Sequence, residues 1–176
     1  MLLANEMIRL RVMEEQDIQH ICSWHNDYAT TRMTTLSTFI PRTLDEELNW
    51  FRRKLADETC RYFMIEELDT GQTIGFISYS GLDYRNRKVL LSVVIGDCSY
   101  RGKGMAAQAL QLMESFAENE LNVRKITVQI LAFNEPSLRL FSRQGYTIEG
   151  ELKKEIYREG AYHDLVILSK FIEGSC

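Results

Sequence analysis

The stretch Ser99-Tyr100-Arg101-Gly102-Lys103-Gly104-Met105-Ala106 joins an apolar run, residues 89–96, to a long helical pattern over residues 106–121. A strand feeding a glycine loop that opens a helix presents a row of first-turn N–H groups, with the positive end of the helix dipole behind them. Such a seat suits a phosphate. Glycines at 102 and 104 permit backbone conformations that other residues resist and allow a ligand to approach closely, while Arg101 and Lys103 add positive charge at the mouth. A plain strand-to-helix turn with an exposed basic pair has the same local pattern, so the rest of the chain must discriminate.

The elements that would position this loop follow from periodicity. Ile8-Arg9-Leu10-Arg11-Val12 alternates as a short strand does, and Ile18, Ile21, Cys22 and His25 then recur at helical spacing behind acidic Glu14, Glu15 and Asp17. Residues 29–41, rich in Thr and Met without a clean period, read as a loop or broken helix and as a candidate substrate lid. Thr43 and Glu46 form a capping box ahead of Leu44, Leu48, Phe51 and Leu55, which mark one helical face. Residues 61–68 and 73–80 are strands joined by a hairpin at Asp69-Thr70-Gly71-Gln72, and the nearly continuous apolar run 89–96 suits a central strand covered on both faces. Beyond the glycine loop, Ala106, Ala109, Leu110, Met113, Phe116 and Ala117 form a helix face whose small residues permit close approach to a sheet. A strand at 126–131 and a short helix at 134–144 stopped by Gly145 come next, then strands at 146–151 and 162–171 joined through Tyr157-Arg158-Glu159-Gly160. The predicted fold class is α/β, with a mixed, mostly antiparallel central sheet flanked by helices.

Composition sets the outer bounds. With 176 residues, 45% hydrophobic, 26% charged and only two prolines, one globular domain over 1–176 is expected. A net charge of -4 argues against a sequence-independent nucleic-acid binder and tolerates a cationic substrate. Cys22, Cys60, Cys98 and Cys176 lack metal-ligand spacing, and the N-terminus does not read as a signal peptide, so free thiols in a reducing cytoplasm and no metal are expected. No apolar run is long enough to span a bilayer. Neither a nucleic acid nor a membrane is therefore expected as a partner.

Arg101-x-x-Gly104-x-Ala106 after an apolar strand, followed by Asn134-x-x-Ser137 and then Gly145-Tyr146, resembles the acetyl-CoA-binding signature of the GNAT N-acetyltransferase superfamily. Ile8-Arg9-Leu10-Arg11, Asp17, Trp24-His25-Asn26-Asp27, Glu149-Gly150 and Tyr162-His163-Asp164 resemble its RimJ/RimL-like branch. The resemblance implies the GNAT acyl-CoA N-acyltransferase fold, with acetyl-CoA as co-substrate. Its pyrophosphate would sit on Arg101, Gly102, Lys103, Gly104, Met105 and Ala106, and its pantetheine arm would pair with Val93, Val94 and Ile95 as an added strand does. Asn134, Ser137 and Phe141 would flank the arm, although Asn134 is also suited to cap the helix ahead of Pro136. Arg139 and Arg143 could reach a CoA phosphate or form a solvated face. The backbone N–H of Val94 would polarise the thioester carbonyl. A homodimer is compatible with this reading.

The catalytic side chains depart from the fuller family pattern. Many members carry a Tyr on the short helix as acid and a Glu early in the central strand as base, and the matching positions here are Phe141 and Leu90. A thiolate of pKa about 8.5 leaves without much help, and a missing acid–base partner typically costs about 10²- to 10⁴-fold. The amine is more discriminating, because an α-amine of pKa about 8 is neutral far more often than a lysine-like amine of about 10.4. The acceptor is therefore expected to be the α-amine of a protein or peptide, with a polyamine such as spermidine or an amino sugar as the alternative. His163 and Ser92 are further candidate catalytic residues, Ser78 and Ser80 could line the acceptor cleft, and Asp164 points opposite to His163. No cysteine is placed as a nucleophile; Cys98 has no evident partner. A non-catalytic CoA-binding regulatory module is the reading from another class, favoured by Phe141 and Leu90.

Overall fold

The computed structural model describes residues 3–172, so Cys176 lies outside the described residues. Seven strands form one sheet: β1 (Ile8–Val12), β2 (Arg61–Glu67), β3 (Thr73–Asp83), β4 (Lys88–Ile95), β5 (Lys125–Leu131), β6 (Thr147–Arg158) and β7 (Ala161–Phe171). Their spatial order is β1-β2-β3-β4-β5-β7-β6. Every neighbouring pair is antiparallel except β4 with β5, which matches the mixed sheet expected from the sequence. Among the described residues five α-helices accompany it: α1 (Ile18–Asn26), α2 (Tyr28–Thr34), α3 (Leu44–Leu55), α4 (Met105–Asn119) and α5 (Glu135–Arg143). None of the described helices is long and apolar enough to cross a membrane.

Side chains alternate across a strand, so β4 serves two cores at once. Val89 and Leu91 pack with Ala109, Leu110, Met113 and Ala117 of α4 and with Phe141 of α5. Val94 faces the other way, joining Met64, Phe76, Ile18 and Ile21 of α1, and Phe51 of α3. Helices therefore lie on both faces of the sheet, and β4 occupies its middle. The start of α3 carries the expected capping box, with Thr43 N–H donating to the Glu46 carboxylate at 2.7 Å and the Glu46 N–H donating to Thr43 Oγ1 at 3.3 Å. At the N-terminal edge, Arg11 donates to both carboxylate oxygens of buried Asp17, at 2.6 and 2.7 Å. The Glu14 N–H adds a third bond at 2.8 Å. Burial acts to raise the Asp17 carboxyl, but these bonds outweigh it and hold it below the usual range.

Residues 29–41, expected as a loop or broken helix, are helical as far as Thr34, because Asp27, just beyond α1, accepts from the N–H groups of Ala29 and Thr30 and starts α2. The far end of α2 is held by buried Arg158, whose Nη1 donates to the carbonyls of Thr31 and Arg32 at 3.1 and 2.6 Å. Its Nη2 donates to those of Thr35 and Ser37 at 2.7 and 3.0 Å. The helix is thus defined by side chains at both ends, one of them more than 120 residues away in sequence. The strand expected at 146–151 continues to Arg158 as the outer edge of the sheet. A register shift between Leu152 and Ile156, with Lys154 at φ 54°, breaks its alternation and hides it from a period-two reading.

Candidate active site

The glycine loop lies beside a defect in the sheet. β4 and β5 pair only through Lys88, Val89 and Leu90 with Lys125, Ile126 and Thr127. Beyond that seam β4 stays with β3 and β5 with β7, so a wedge opens between them. Ile95 stands opposite Gly75, yet the next cross-strand bond runs from the Asp97 N–H to the Ile74 carbonyl, one residue past the position this register assigns. The departure falls at Gly96, where an added Cβ would lie 2.1 Å from the Trp24 indole. Gly75 is equally constrained, since its Cβ would lie 2.2 Å from the Val94 carbonyl oxygen. Asp97 then accepts from the Ser99 N–H and hydroxyl, and these bonds hold its carboxyl below the usual range.

Gly102 and Gly104 both adopt positive φ, 73° and 82°, and α4 starts at Met105 with no side chain capping its first turn. Those N–H groups are left for a ligand or water. They face a cleft of about 530 Å³ bounded by Val93, Val94 and Ile95, by residues 100–102 and 104–107 and by one side of α5. The two basic residues of the loop, expected as charges at the mouth, also make contacts within the protein, and Arg101 lines the cleft. Arg101 donates to the carbonyls of Ile95 (3.0 Å) and Gly96 (3.2 Å) and to Thr30 Oγ1 (2.7 Å), so it braces the loop against β4 and α2. Lys103 places Nζ 5.1 Å from the centre of the Tyr100 ring. Arg139 and Arg143 line the cleft, and Arg139 also pairs with Glu135 at 2.9 Å.

Asn134 is committed within the protein. Its side-chain oxygen accepts from the Ser137 N–H, capping α5, and its nitrogen donates to the Met33 carbonyl at 2.8 Å, tying α5 to α2. Ser137 faces the wedge, while Phe141 lines its inner end and meets Tyr146 edge to face, with ring centres 5.0 Å apart. Leu90 opens onto the same inner end, so the positions where an acid and a base were sought both present hydrocarbon.

A second chamber of about 190 Å³ lies on the opposite side of β4. Its floor follows from the strand registers: Tyr62, Ser78 and Ser92 stand in one row across β2, β3 and β4, and Phe76 and Val94 in the next. The first row supplies hydroxyls and the second apolar surface. Thr30, Thr31 and Thr34 of α2 form the roof, and His25 of α1 and Trp50 of α3 close the wall. Val94, Thr30 and Thr34 line both this chamber and the large cleft, so the two spaces adjoin there. Burial pushes the Tyr62 phenol up to about 12, which keeps it protonated near neutrality.

Of the residues singled out from sequence, the structure gathers Val93, Val94, Ile95, Ser92, Gly102, Gly104, Met105, Ala106, Asn134, Ser137 and Phe141 around the two spaces. Ser78 and Ser80 join Ser92 in the chamber. His163 is placed elsewhere, with Nε2 3.2 Å from the Arg158 carbonyl oxygen and its ring against Phe133. Asp164 accepts from the Lys153 ammonium and the Lys154 N–H at the bulge of β6. Sequence reasoning missed His25, Trp50, Tyr62 and Arg158. The helical spacing of His25 was visible, but its partner on α3 and the chamber it faces were not.

Comparison with known proteins fits this geometry. A family described as acetyltransferase (GNAT) domain matches residues 8–147. The SPbeta prophage-derived uncharacterized N-acetyltransferase YokL of Bacillus subtilis is 28% identical over 92% of this chain and 88% of its own. Spermidine N(1)-acetyltransferase of Escherichia coli is 22% identical over 93% of this chain and 86% of its own. Among solved structures, spermidine N-acetyltransferase of Vibrio cholerae in complex with CoA and spermine superposes with a TM-score of 0.88 at 22% identity, covering 95% of this chain and 96% of that one. An uncapped helix start behind a glycine loop at the mouth of a split sheet, and a family match across most of the chain, lead to one conclusion: the protein belongs to the GNAT acetyltransferases and is an acetyl-CoA-dependent N-acetyltransferase.

Proposed function

We propose that the acceptor is the primary amine of a small molecule, an aliphatic polyamine such as spermidine ahead of an amino sugar, acetylated by direct attack. The observation that carries this reading is the chamber itself. Its volume of about 190 Å³ suits a short amine rather than a folded protein's terminus with its flanking residues. Its roof is tied down by Arg158 and by the Arg32–Glu159 ion pair at 2.9 Å. Aromatic faces from Trp24, Trp50, Tyr62 and Phe76 attract an ammonium group, and the serine and threonine hydroxyls accept its protons. The likeness to spermidine acetyltransferases over more than nine-tenths of the chain supports the same choice. A peptide α-amine is the second reading; the absence of a carboxylate among the residues lining the chamber and the RimJ/RimL-like motifs favour it.

In this reading the first-turn N–H groups of α4, from Gly104 to Ala106, hold the CoA pyrophosphate, with the bends at Gly102 and Gly104 admitting it. The pantetheine arm fills the wedge as a missing strand would, beside Val93, Val94 and Ile95 on one side and Ser137 and Phe141 on the other. The Val94 N–H then polarises the thioester carbonyl where the two spaces meet.

The test is CoA release from acetyl-CoA with spermidine, lysine, amino sugars and peptides bearing free or blocked N-termini. Turnover of spermidine or another small amine above that of the peptides is expected; turnover confined to free peptide N-termini would refute the small-amine reading. Gly104→Glu serves as the control for the seat. The φ of 82° strains any side chain there and a carboxylate repels the pyrophosphate, so acetyl-CoA affinity falls by about tenfold or more.

A further inference from the structure

We propose that His25, backed by Glu47, is the proton acceptor for the amine in the chamber; the inference rests on the acetyl-transfer reading given above. His25 lines the chamber together with Ser92 and Val94. Its Nδ1 lies 2.9 Å from Glu47 Oε1. A carboxylate oxygen accepts, so Nδ1 carries the proton and Nε2 holds the free lone pair. Nε2 has no hydrogen-bond partner among the described residues, and it is the ring nitrogen turned away from Glu47. The ring is held edge-on by Trp50 at 5.7 Å and Phe76 at 6.2 Å, and Phe76 stands directly opposite Val94 in the sheet.

Three further observations single out this pair. Among the residues lining the wedge, the cleft and the chamber, His25 is the sole imidazole, the side-chain type suited to accept and release a proton near neutral pH. Leu90 and Phe141 offer no alternative. Glu47 is fully buried, its Oε2 has no hydrogen-bond partner among the described residues, and Arg42 stays 3.6 Å from Oε1. A buried carboxylate so poorly compensated is costly for a purely structural contact. It is well suited to stabilise an imidazolium that forms and disappears on each cycle.

The proton balance is complete without another reagent. One proton of the substrate ammonium moves to His25 Nε2, and the nitrogen lone pair forms the C–N bond to the acetyl carbon. The C–S bond breaks with its electron pair on sulfur. A second proton lost from nitrogen passes to the thiolate, giving the CoA thiol, and the imidazolium returns its proton to solvent.

The charged and titratable groups facing the ring are Glu47 on α3, Arg42 ahead of it, Tyr62 on β2 and Cys22 on α1; β3 contributes Phe76 and Ser78. His25→Gln keeps a hydrogen bond to Glu47 but removes the base. The expected result is a fall of about 100-fold in kcat/KM for the amine and loss of the acidic limb of its pH profile, with acetyl-CoA affinity and melting unchanged. Glu47→Gln should move that limb to lower pH, because the imidazolium loses its anionic partner; a merely structural contact would not move it. The chain has three histidines, so the wild-type ring resonances can be followed directly by NMR, and the His25 titration must coincide with the kinetic limb. A limb that coincides with another histidine, or a His25→Gln enzyme within about threefold of wild type with its limb intact, overturns the proposal alone. A wild-type enzyme without turnover of any amine overturns the small-amine reading and this inference together.

Discussion

Replacing Arg158 with Met tests whether the roof of the chamber is built by one guanidinium. The substitution keeps much of the aliphatic stem but removes four donors, each now bonded to a carbonyl at or beyond the C-terminus of α2. A hydrogen bond to a charged group contributes about 1.5–3 kcal/mol, so four would set a gross ceiling near 6–12 kcal/mol. Most of that is offset. Removing a cation buried to 7% exposure recovers its desolvation cost, and the Thr35 and Ser37 carbonyls can turn to water. A net loss of about 2–4 kcal/mol remains, and about 3 kcal/mol corresponds to roughly 100-fold in the ratio of docked to undocked α2. Urea unfolding reads the global part, and hydrogen exchange at the amides of Thr31, Met33 and Thr34 reads the local part. The amine KM should rise markedly and the acetyl-CoA KM by less, because α2 roofs the proposed acceptor chamber and forms only one border of the large cleft. Unfolding within about 0.5 kcal/mol of wild type together with an unchanged amine KM would refute the argument that Arg158 holds the roof.

Gly96→Ala forces a Cβ to 2.1 Å from a rigid indole, so Trp24 must shift; a loss of about 1–3 kcal/mol in thermal unfolding and a changed Trp24 fluorescence spectrum are expected. The Arg11–Asp17 pair gives a sign-definite pH effect. The Asp17 carboxyl is lowered in the folded state, so its stabilisation is complete above the ordinary aspartate value of about 3.9 and is lost as pH falls through the lower folded value. Asp17→Asn should therefore be less stable than wild type at neutral pH, and the difference should shrink on acidification below about pH 4, as followed by urea midpoints from pH 7 to pH 2.

The elements with strong local signals were legible in the sequence. The capping box of Thr43 and Glu46, the glycines at 102 and 104 and the stop at Gly145 each fix a boundary through residues a few positions apart. What escaped notice is fixed at long range. α2 takes its C-terminal support from Arg158, and β6 continues past its bulge because β7 lies beside it. The cleft at the start of α4 was readable because its backbone has a compact signature, glycines ahead of a helix. The chamber side was legible only through Ser78, Ser80 and Ser92, since His25, Glu47, Trp50 and Tyr62 come from three different elements and meet only after the sheet has formed. Arg101 shows the converse: a basic residue in the expected place turned out to brace the loop through Ile95, Gly96 and Thr30.

The short seam between β4 and β5 makes the sheet mechanically two plates, one of four strands and one of three, stitched by three residue pairs. Backbone bonds within each plate fix its own twist, but only the seam and the helices packed across it fix the angle between them. The chamber proposed for the amine belongs to the first plate, whereas Phe141 and Ser137 ride on α5, which follows a strand of the second. A change in twist anywhere on either plate is thus delivered to the wedge as a change in its opening. Reactant alignment in this protein is a property of the whole sheet, and substitutions far from the site can alter it without touching any residue that lines it.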